Sequence, residues 1–303
     1  MKKTGQGSNE QNDGSVKYAF VILHYGDRAV TDRCVESILH MKRINDIEII
    51  IVDNDARLTD EERDVFACGY ERYRNITILR CQEGTGFSRA NNWGYEYART
   101  QLGADCIIVC NNDIDFIQTD FIERLERSVC IMNCHVLGPD IIRRSNHEPQ
   151  NPMDIRLRTS REARNTIRMN RAALAVFPFV YPFLCMQEKR AEHRRLAEKK
   201  QNLVFYKEAH THIIPFGACL IFTPAFVEKE EKAFDPETQF YYEEYILANR
   251  CFQKGYETGY DPSMKVLHET GSATNQSARS NPEKMKTLMK RTAQACEVYL
   301  NTL

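Results

Sequence analysis

Residues 107–116, IIVCNNDIDF, pass from four apolar side chains into two amides and two acids. A buried strand followed by turn-forming residues has this pattern. So do oxygen ligands set where a strand stops to hold a hard cation. The stretch alone leaves both readings open, and the residues upstream decide the fold. Val16–Leu23, Ile47–Val52 and Ile76–Leu79 are likewise short, apolar and rich in β-branched residues, as strands covered on both faces of a sheet require. Helical patterns lie between them: the stripe Val30, Cys34, Ile38 after Asp27, then Glu61–Tyr73, then Ser88–Leu102. Strict alternation predicts an α/β fold on a mostly parallel sheet with flanking helices.

Open parallel sheets bind ligands beyond the carboxyl ends of their strands. Those ends read His24-Tyr25-Gly26, Asp53-Asn54-Asp55, Glu83-Gly84-Thr85-Gly86 and Asn111-Asn112-Asp113, all polar or glycine-rich and all expected on one rim. A dinucleotide fingerprint fits GTGFSR poorly, because Arg89 stands where the third glycine belongs and the motif follows the third strand. The segment still suits phosphate: glycines admit the backbone, and Arg89 can pair with a diphosphate. An ordinary strand-to-helix turn is the competing reading.

With 303 residues and 42% hydrophobic content, the chain can build one large domain or two modest ones. MKKTGQGSNEQNDGS, residues 1–15, lacks the apolar region of a secretory signal and reads as a disordered tail. The eleven cysteines are then reduced thiols of a cytoplasmic protein. Cys106/Cys110 and Cys130/Cys134, the latter beside His135, have spacings unlike a zinc knuckle and fit small core residues better.

The net charge of −1 hides an uneven distribution: residues 156–200 carry twelve Lys/Arg against four Glu. Two basic arms, Arg156–Arg171 and Glu188–Lys200, flank the apolar run AALAVFPFVYPFLCM, interrupted by Pro178 and Pro182. The run is short of the roughly 20 residues needed to cross a bilayer, and its prolines are expected to break a helix. The segment reads as lying on an anionic membrane surface at the inner face of the membrane. Phe177, Phe179, Tyr181 and Phe183 would enter the acyl boundary while the arginines meet headgroups. Packing on its own domain or on a second subunit, as in a homo-oligomer, is the alternative. Nucleic acid is disfavoured, since the aromatics form one block and do not interleave with the basic residues.

Beyond the insertion, His212–Phe222 reads as a strand with a Gly-Ala kink. A helix follows through Ile246, Leu247 and Cys251, with Gly255 placed as its C′ cap and Glu243 and Glu244 in its first turn. The chain therefore divides into a tail (1–15), an α/β half (16–142), a basic and aromatic helical insertion (143–212), and a second half with a C-terminal helix (213–303), the two halves being the nucleotide-sugar-binding and acceptor-side halves of the resemblance that follows.

Taken in order, these segments resemble the inverting GT-A glycosyltransferases of family 2, particularly the bacterial rhamnosyltransferase-like and galactosyltransferase-like branch. FVILHYG is similar to the opening strand and IIIVDNDA to the second. GTGFSRANNWGYEYA is similar to the third helix start, and IIVCNNDIDF stands where the family carries an N-x-D or D-x-D metal motif. FGACLIFTPAF, FDPETQFYYEEYILANRCFQKG and KVLHETGSAT resemble the acceptor-side strand, the "ED" helix and the terminal H-x-x-G-S segment. The resemblance implies a nucleotide-diphosphate sugar donor held by Tyr25, Asp53, Asp55, Arg89, Asn111, Asn112 and Asp113. It implies Mg²⁺ or Mn²⁺ on Asp113 and His268, with Glu244 as catalytic base and Glu243 in reserve, because Glu-Glu replaces the family's usual Glu-Asp. Asp115 joins the metal shell or begins the next turn. The implied acceptor is a glycan or polyprenyl-linked hydroxyl in bacterial surface polysaccharide assembly. Competing readings are a nucleotidyltransferase, for which HYGDRAV is a poor phosphate loop, and a non-catalytic membrane- or polyanion-binding protein.

Overall fold

The computed structural model describes residues 16–81, 85–238, 241–269 and 281–303. The expected tail, Glu83 and Gly84 of the glycine-rich turn, and the Gly271-Ser272 part of the terminal segment lie outside these residues.

Its first third alternates as the sequence predicts: β1 (Tyr18–His24), α1 (Arg28–Leu39), β2 (Ile47–Asp53), α2 (Asp60–Cys68), β3 (Ile76–Arg80), α3 (Gly86–Thr100) and β4 (Cys106–Asn111). Asp27 caps α1 by accepting from the Ala29 amide, and Thr59 with Glu62 forms a capping box on α2, so both helices start where their orphan amides find partners. Then come β5 (Ile114–Phe116), α4 (Phe121–Met132), β6 (Val136–Arg143), α5 (Ser160–Ala175), α6 (Phe177–Gln201) and β7 (His210–Thr211). The chain finishes with β8 (Cys219–Phe222), α7 (Pro224–Val227), α8 (Glu243–Gln253), β9 (Thr258–His268) and α9 (Pro282–Thr302).

All strands join one nine-stranded sheet in the order β3-β2-β1-β4-β8-β6-β9-β5, with β7 beside β9. Neighbours among β1, β2, β3 and β4 are parallel, as are β6 and β9, while β8, β7 and β5 run against their partners. The two sequence halves interleave in this sheet, since β5 and β6 from the first are hydrogen-bonded to β8 and β9 from the second.

Side chains alternate across it. Phe20 and Ile22, Ile49 and Ile51, Ile108 and Cys110 pack with Cys34, Ile38, Phe66, Phe121 and Leu125 on the face covered by α1, α2 and α4. Their neighbours Ala19, Val21, Ile50, Val52, Ile107 and Val109 pack with Ala90, Tyr95, Ala98, Leu247 and Cys251 beneath α3 and α8. This period of two on a two-sided sheet is why the strands read as continuous apolar runs. Burial pushes the thiols of Cys106 and Cys134 up, Cys134 to about 12, as befits core residues.

Two sequence expectations need correction. The strand expected over His212–Phe222 is formed only from Cys219. Pro215 has no amide to give a ladder, and Ile214 and Phe216 donate instead to Asp154 O and Asn151 Oδ1. Nor do the prolines break α6. Pro178 lies in the first turn, where a missing N–H costs little, and the helix continues through Pro182. The insertion is also partly built into the body: Ala163 and Ile167 of α5 pack with Tyr242, Tyr245 and Ile246 of α8 and Cys296 and Tyr299 of α9. Phe177 is 3% exposed against Met285 and Met289, with Tyr181 packed beside it, whereas Phe179 and Phe183 are 88% and 51% exposed. Of the four aromatics expected to meet a membrane, only Phe179 and Phe183 face outward. No helix of the described residues is long and apolar enough to cross a membrane.

Candidate active site

Strand pairing accounts for the first contact of the site. β5 runs antiparallel to β9 with Ile114 opposite His268, and the Glu269 amide donates to Asp113 O at 2.9 Å. Residues far apart in sequence are thereby made neighbours, and His268 Nε2 lies 3.2 Å from Asp113 Oδ1. The other ring nitrogen, Nδ1, is 2.7 Å from Gln150 Oε1. An Nδ1–H donating to Gln150 leaves the Nε2 lone pair on the side of Asp113, an imidazole orientation suited to a metal ion. Both residues are buried.

The chain at 216–218 joins this pair to α8. Ala218 O accepts from the Asn111 amide at the end of β4 (3.0 Å), and the Gly217 amide donates to Glu244 Oε1 (3.2 Å). The Phe216 ring sits 6.0 Å, centre to centre, from the His268 ring. Three successive residues thus touch the end of β4, Glu244 and His268. Just before α8, Tyr241 and Tyr242 adopt left-handed backbone, φ 73° and 64°. Bulky residues rarely do so, and such strain, on the order of 1–3 kcal/mol each, concentrates where geometry serves function.

Burial pushes both carboxyls of α8 up. Glu243 also feels the charge of Glu244 and reaches about 8. Glu244 is raised as well, while backbone amides, that of Gly217 among them, favour the charged form.

Asp53 and Asp55 lie two strands away. Asp53 accepts from Arg63 Nη1 (2.9 Å) and from the Asp55 amide (3.1 Å). Asp55 is gripped by Arg57 Nε (2.8 Å) and Nη2 (2.5 Å) and by the Gly26 amide (2.9 Å). Arg57 holds the Asp55 carboxyl down to about 2 and covers the Tyr25 ring at 4.5 Å. Asn112 spends its amide on Tyr25 O and Thr31 Oγ1, which ties the ends of β1 and β4 together. Asp115 fits neither of its expected roles. It lies within β5, paired with Arg33 and Arg144, which also hold Glu269. Arg89 donates to Pro236 O and faces Glu237, so its contacts among the described residues are with that turn and not with the strand-end acids. Sequence reasoning missed Arg57, Arg63, Gln150, Phe216 and Gly217, none of which carries a local pattern.

Among the described residues, no cluster of three or more His, Cys, Asp or Glu is arranged to hold a metal ion. Asp113 and His268 nevertheless form a mixed oxygen and nitrogen pair with the imidazole tautomer fixed from behind. This fits a Mg²⁺ or Mn²⁺ ion that takes one or two protein ligands and completes its shell with water and substrate phosphate.

A model of the family described as "Glycosyl transferase family 2" matches residues 19–196, more than half of the chain. The chain belongs to glycosyl transferase family 2. The family 2 match runs through α5 and into α6 and stops before α8 and β9. Glu244 and His268 therefore rest on the geometry above. No curated protein sequence matches the chain. Solved structures of S. aureus TarS, residues 1–349, are similar in fold with a TM-score of 0.52 at 10% identity. One covers 84% of this chain and 60% of its own; another, in complex with UDP, covers 91% and 64%. The family 2 chain thus spans less than two thirds of those structures.

Proposed function

We propose that this glycosyltransferase moves a sugar from a nucleotide-diphosphate donor to an acceptor hydroxyl with inversion. The observation that carries the proposal is the junction at 216–218, which places the Asp113–His268 pair and the Glu244 carboxylate around the end of β4. A single displacement needs a charge-stabilised leaving diphosphate and a base on the opposite side. Mg²⁺ or Mn²⁺ held by Asp113 and His268 would act as a Lewis acid on the leaving group. Glu244, held by the Gly217 amide, takes the proton of the attacking hydroxyl. Asp53, Asp55 and Tyr25 border the place for the nucleoside, and the UDP-bound TarS structure, of the same fold, supports a nucleotide donor. Arg89 must exchange its contact with Pro236 O to reach a diphosphate.

The proposed acceptor is a glycan or polyprenyl-linked hydroxyl of a bacterial surface polysaccharide, met where the exposed basic and aromatic part of the insertion holds the enzyme on the inner face of the membrane. A thermal-shift panel of UDP-, GDP- and dTDP-sugars with and without Mn²⁺ tests the donor half. One donor should stabilise the wild type by about 2.7 kcal/mol at a hundredfold its Kd. Asp113→Ala and His268→Ala should lose the Mn²⁺-dependent part. Stabilisation by no donor, or equal stabilisation of both variants, would refute the assignment.

A further inference from the structure

α6 changes character along its length. Phe177–Met186 is apolar on almost every side, whereas the residues from Gln187 onward are mostly charged. Phe177, Tyr181 and Leu184, at i, i+4 and i+7, pack towards Met285 and Met289 of α9. Phe179, Phe183 and Met186 repeat that spacing on another face and are 88%, 51% and 40% exposed. A helix that is apolar all round normally has both faces covered.

Where α6 turns basic, a groove of about 510 Å³ lies between α5, α6 and α9. This is within the range of small-molecule sites. Leu184, Met285, Leu288 and Met289 give it apolar walls, and Arg190 and Arg194, one helical turn apart, give it a cationic end. Neither guanidinium forms an ion pair among the described residues. The groove and the outer face share one polarity, hydrocarbon towards the start of α6 and positive charge further along. From Phe179 to Arg190 is about 16 Å at 1.5 Å per residue.

We propose that this groove binds an anionic lipid, its chain against Leu184, Met285, Leu288 and Met289 and its phosphate on Arg190 and Arg194. The choice of a lipid rests on the membrane-surface part of the proposed function and on the excess positive charge of residues 156–200; donor chemistry plays no part in it.

The test uses the full chain in two assays: flotation with phosphatidylcholine vesicles with and without phosphatidylglycerol, and thermal shift with dodecyl phosphate, dodecanol or inorganic phosphate. Dodecyl phosphate should raise Tm, while dodecanol and inorganic phosphate should not. The double variant Arg190→Gln/Arg194→Gln should lower affinity for the anionic vesicles by about 30-fold, near the value expected for two headgroup contacts. Arg161→Gln/Arg164→Gln, the same charge change in the basic arm outside the groove, should lower it by a smaller factor and leave the dodecyl phosphate shift intact.

Equal losses in the two variants would reduce the effect to diffuse charge and overturn the site. So would a shift produced by inorganic phosphate alone, or no response to lipid. If Phe179→Ser/Phe183→Ser abolished a dimer and left vesicle binding intact, the apolar face would belong to a second copy, and the proposal would fall. Donor-induced stabilisation, measured in parallel, reports folding of each variant. Its absence from the wild type would count against sugar transfer without touching the lipid result.

Discussion

A β-carbon on Gly217 would lie 2.7 Å from Glu244 Oε1, so glycine there leaves room for the carboxylate and lets the backbone amide reach it. Gly217→Ala should displace Glu244 and lower kcat about 100-fold, the scale of a misplacement near 1 Å, with donor affinity retained; an unchanged kcat would remove Glu244 from the reaction. The glutamate pair also sets a pH dependence. Burial raises Glu244, the proposed base, above the ordinary carboxylate range, so kcat/KM should still be rising with pH above that range. Glu243, raised to about 8 by burial and the charge of Glu244, is not that base, and Glu243→Gln should keep the rise. Stability runs the other way. A carboxyl raised on folding contributes stability that is fully present below its unfolded pKa of about 4.3 and lost as pH rises through its folded value. The wild type should therefore lose stability relative to Glu243→Gln between about pH 5 and pH 9. Asp113 drew notice because it follows an apolar run, whereas Glu244 and His268 were named on the family resemblance. Gln150 and Gly217 were not legible, for their contacts are with residues 118 and 27 positions away and nothing in their own surroundings marks them.

Among the elements, α3 packs tightly on β1 and β2 at Gly94. A β-carbon on Gly94 would meet Val21 Cγ1 at 2.4 Å and Val52 Cγ2 at 2.7 Å. Gly94→Ala gains about 1 kcal/mol of helix propensity but overpacks a site where such insertions cost typically 1–3 kcal/mol. A net loss of about 1 kcal/mol is expected from urea unfolding, and a gain in stability would show that α3 can lift off the sheet. The strands β1 to β4 were readable because burial on both faces leaves no polar alternation to confuse them. β8 was over-extended in the sequence reading because Pro215 and the side-chain partner of Phe216 were not weighed. α6 was misread because the cost of an interior proline, about 3 kcal/mol, was set against local sequence alone. The packing of Phe177, Tyr181 and Leu184 on α9 lies outside that comparison.

At the scale of the whole molecule, α6 connects two regions that the sequence reading kept apart. Its exposed aromatics lie near one end. Near the other, Lys199 Nζ is bound by Glu148 Oε1 (2.9 Å) and Pro149 O (2.7 Å), next to the Gln150 that orients His268. From Phe177 to Lys199 the helix spans about 33 Å, so the insertion is tied directly to the site it was thought only to deliver. The fold class was plain from alternating strands and helices, but the sharing of one sheet by both halves was not, because strand order depends on pairings that no local pattern encodes.

The central claim is that Asp113, His268 and Glu244 serve one cation-dependent transfer site, and release of nucleoside diphosphate from the stabilising donor tests it most directly. The wild type should release it only with Mn²⁺ or Mg²⁺ present, and Glu244→Gln should release at most about a thousandth as much, the upper part of the usual contribution of a general base, while still binding donor. Release that is independent of the cation, or undiminished in Glu244→Gln, would contradict the account.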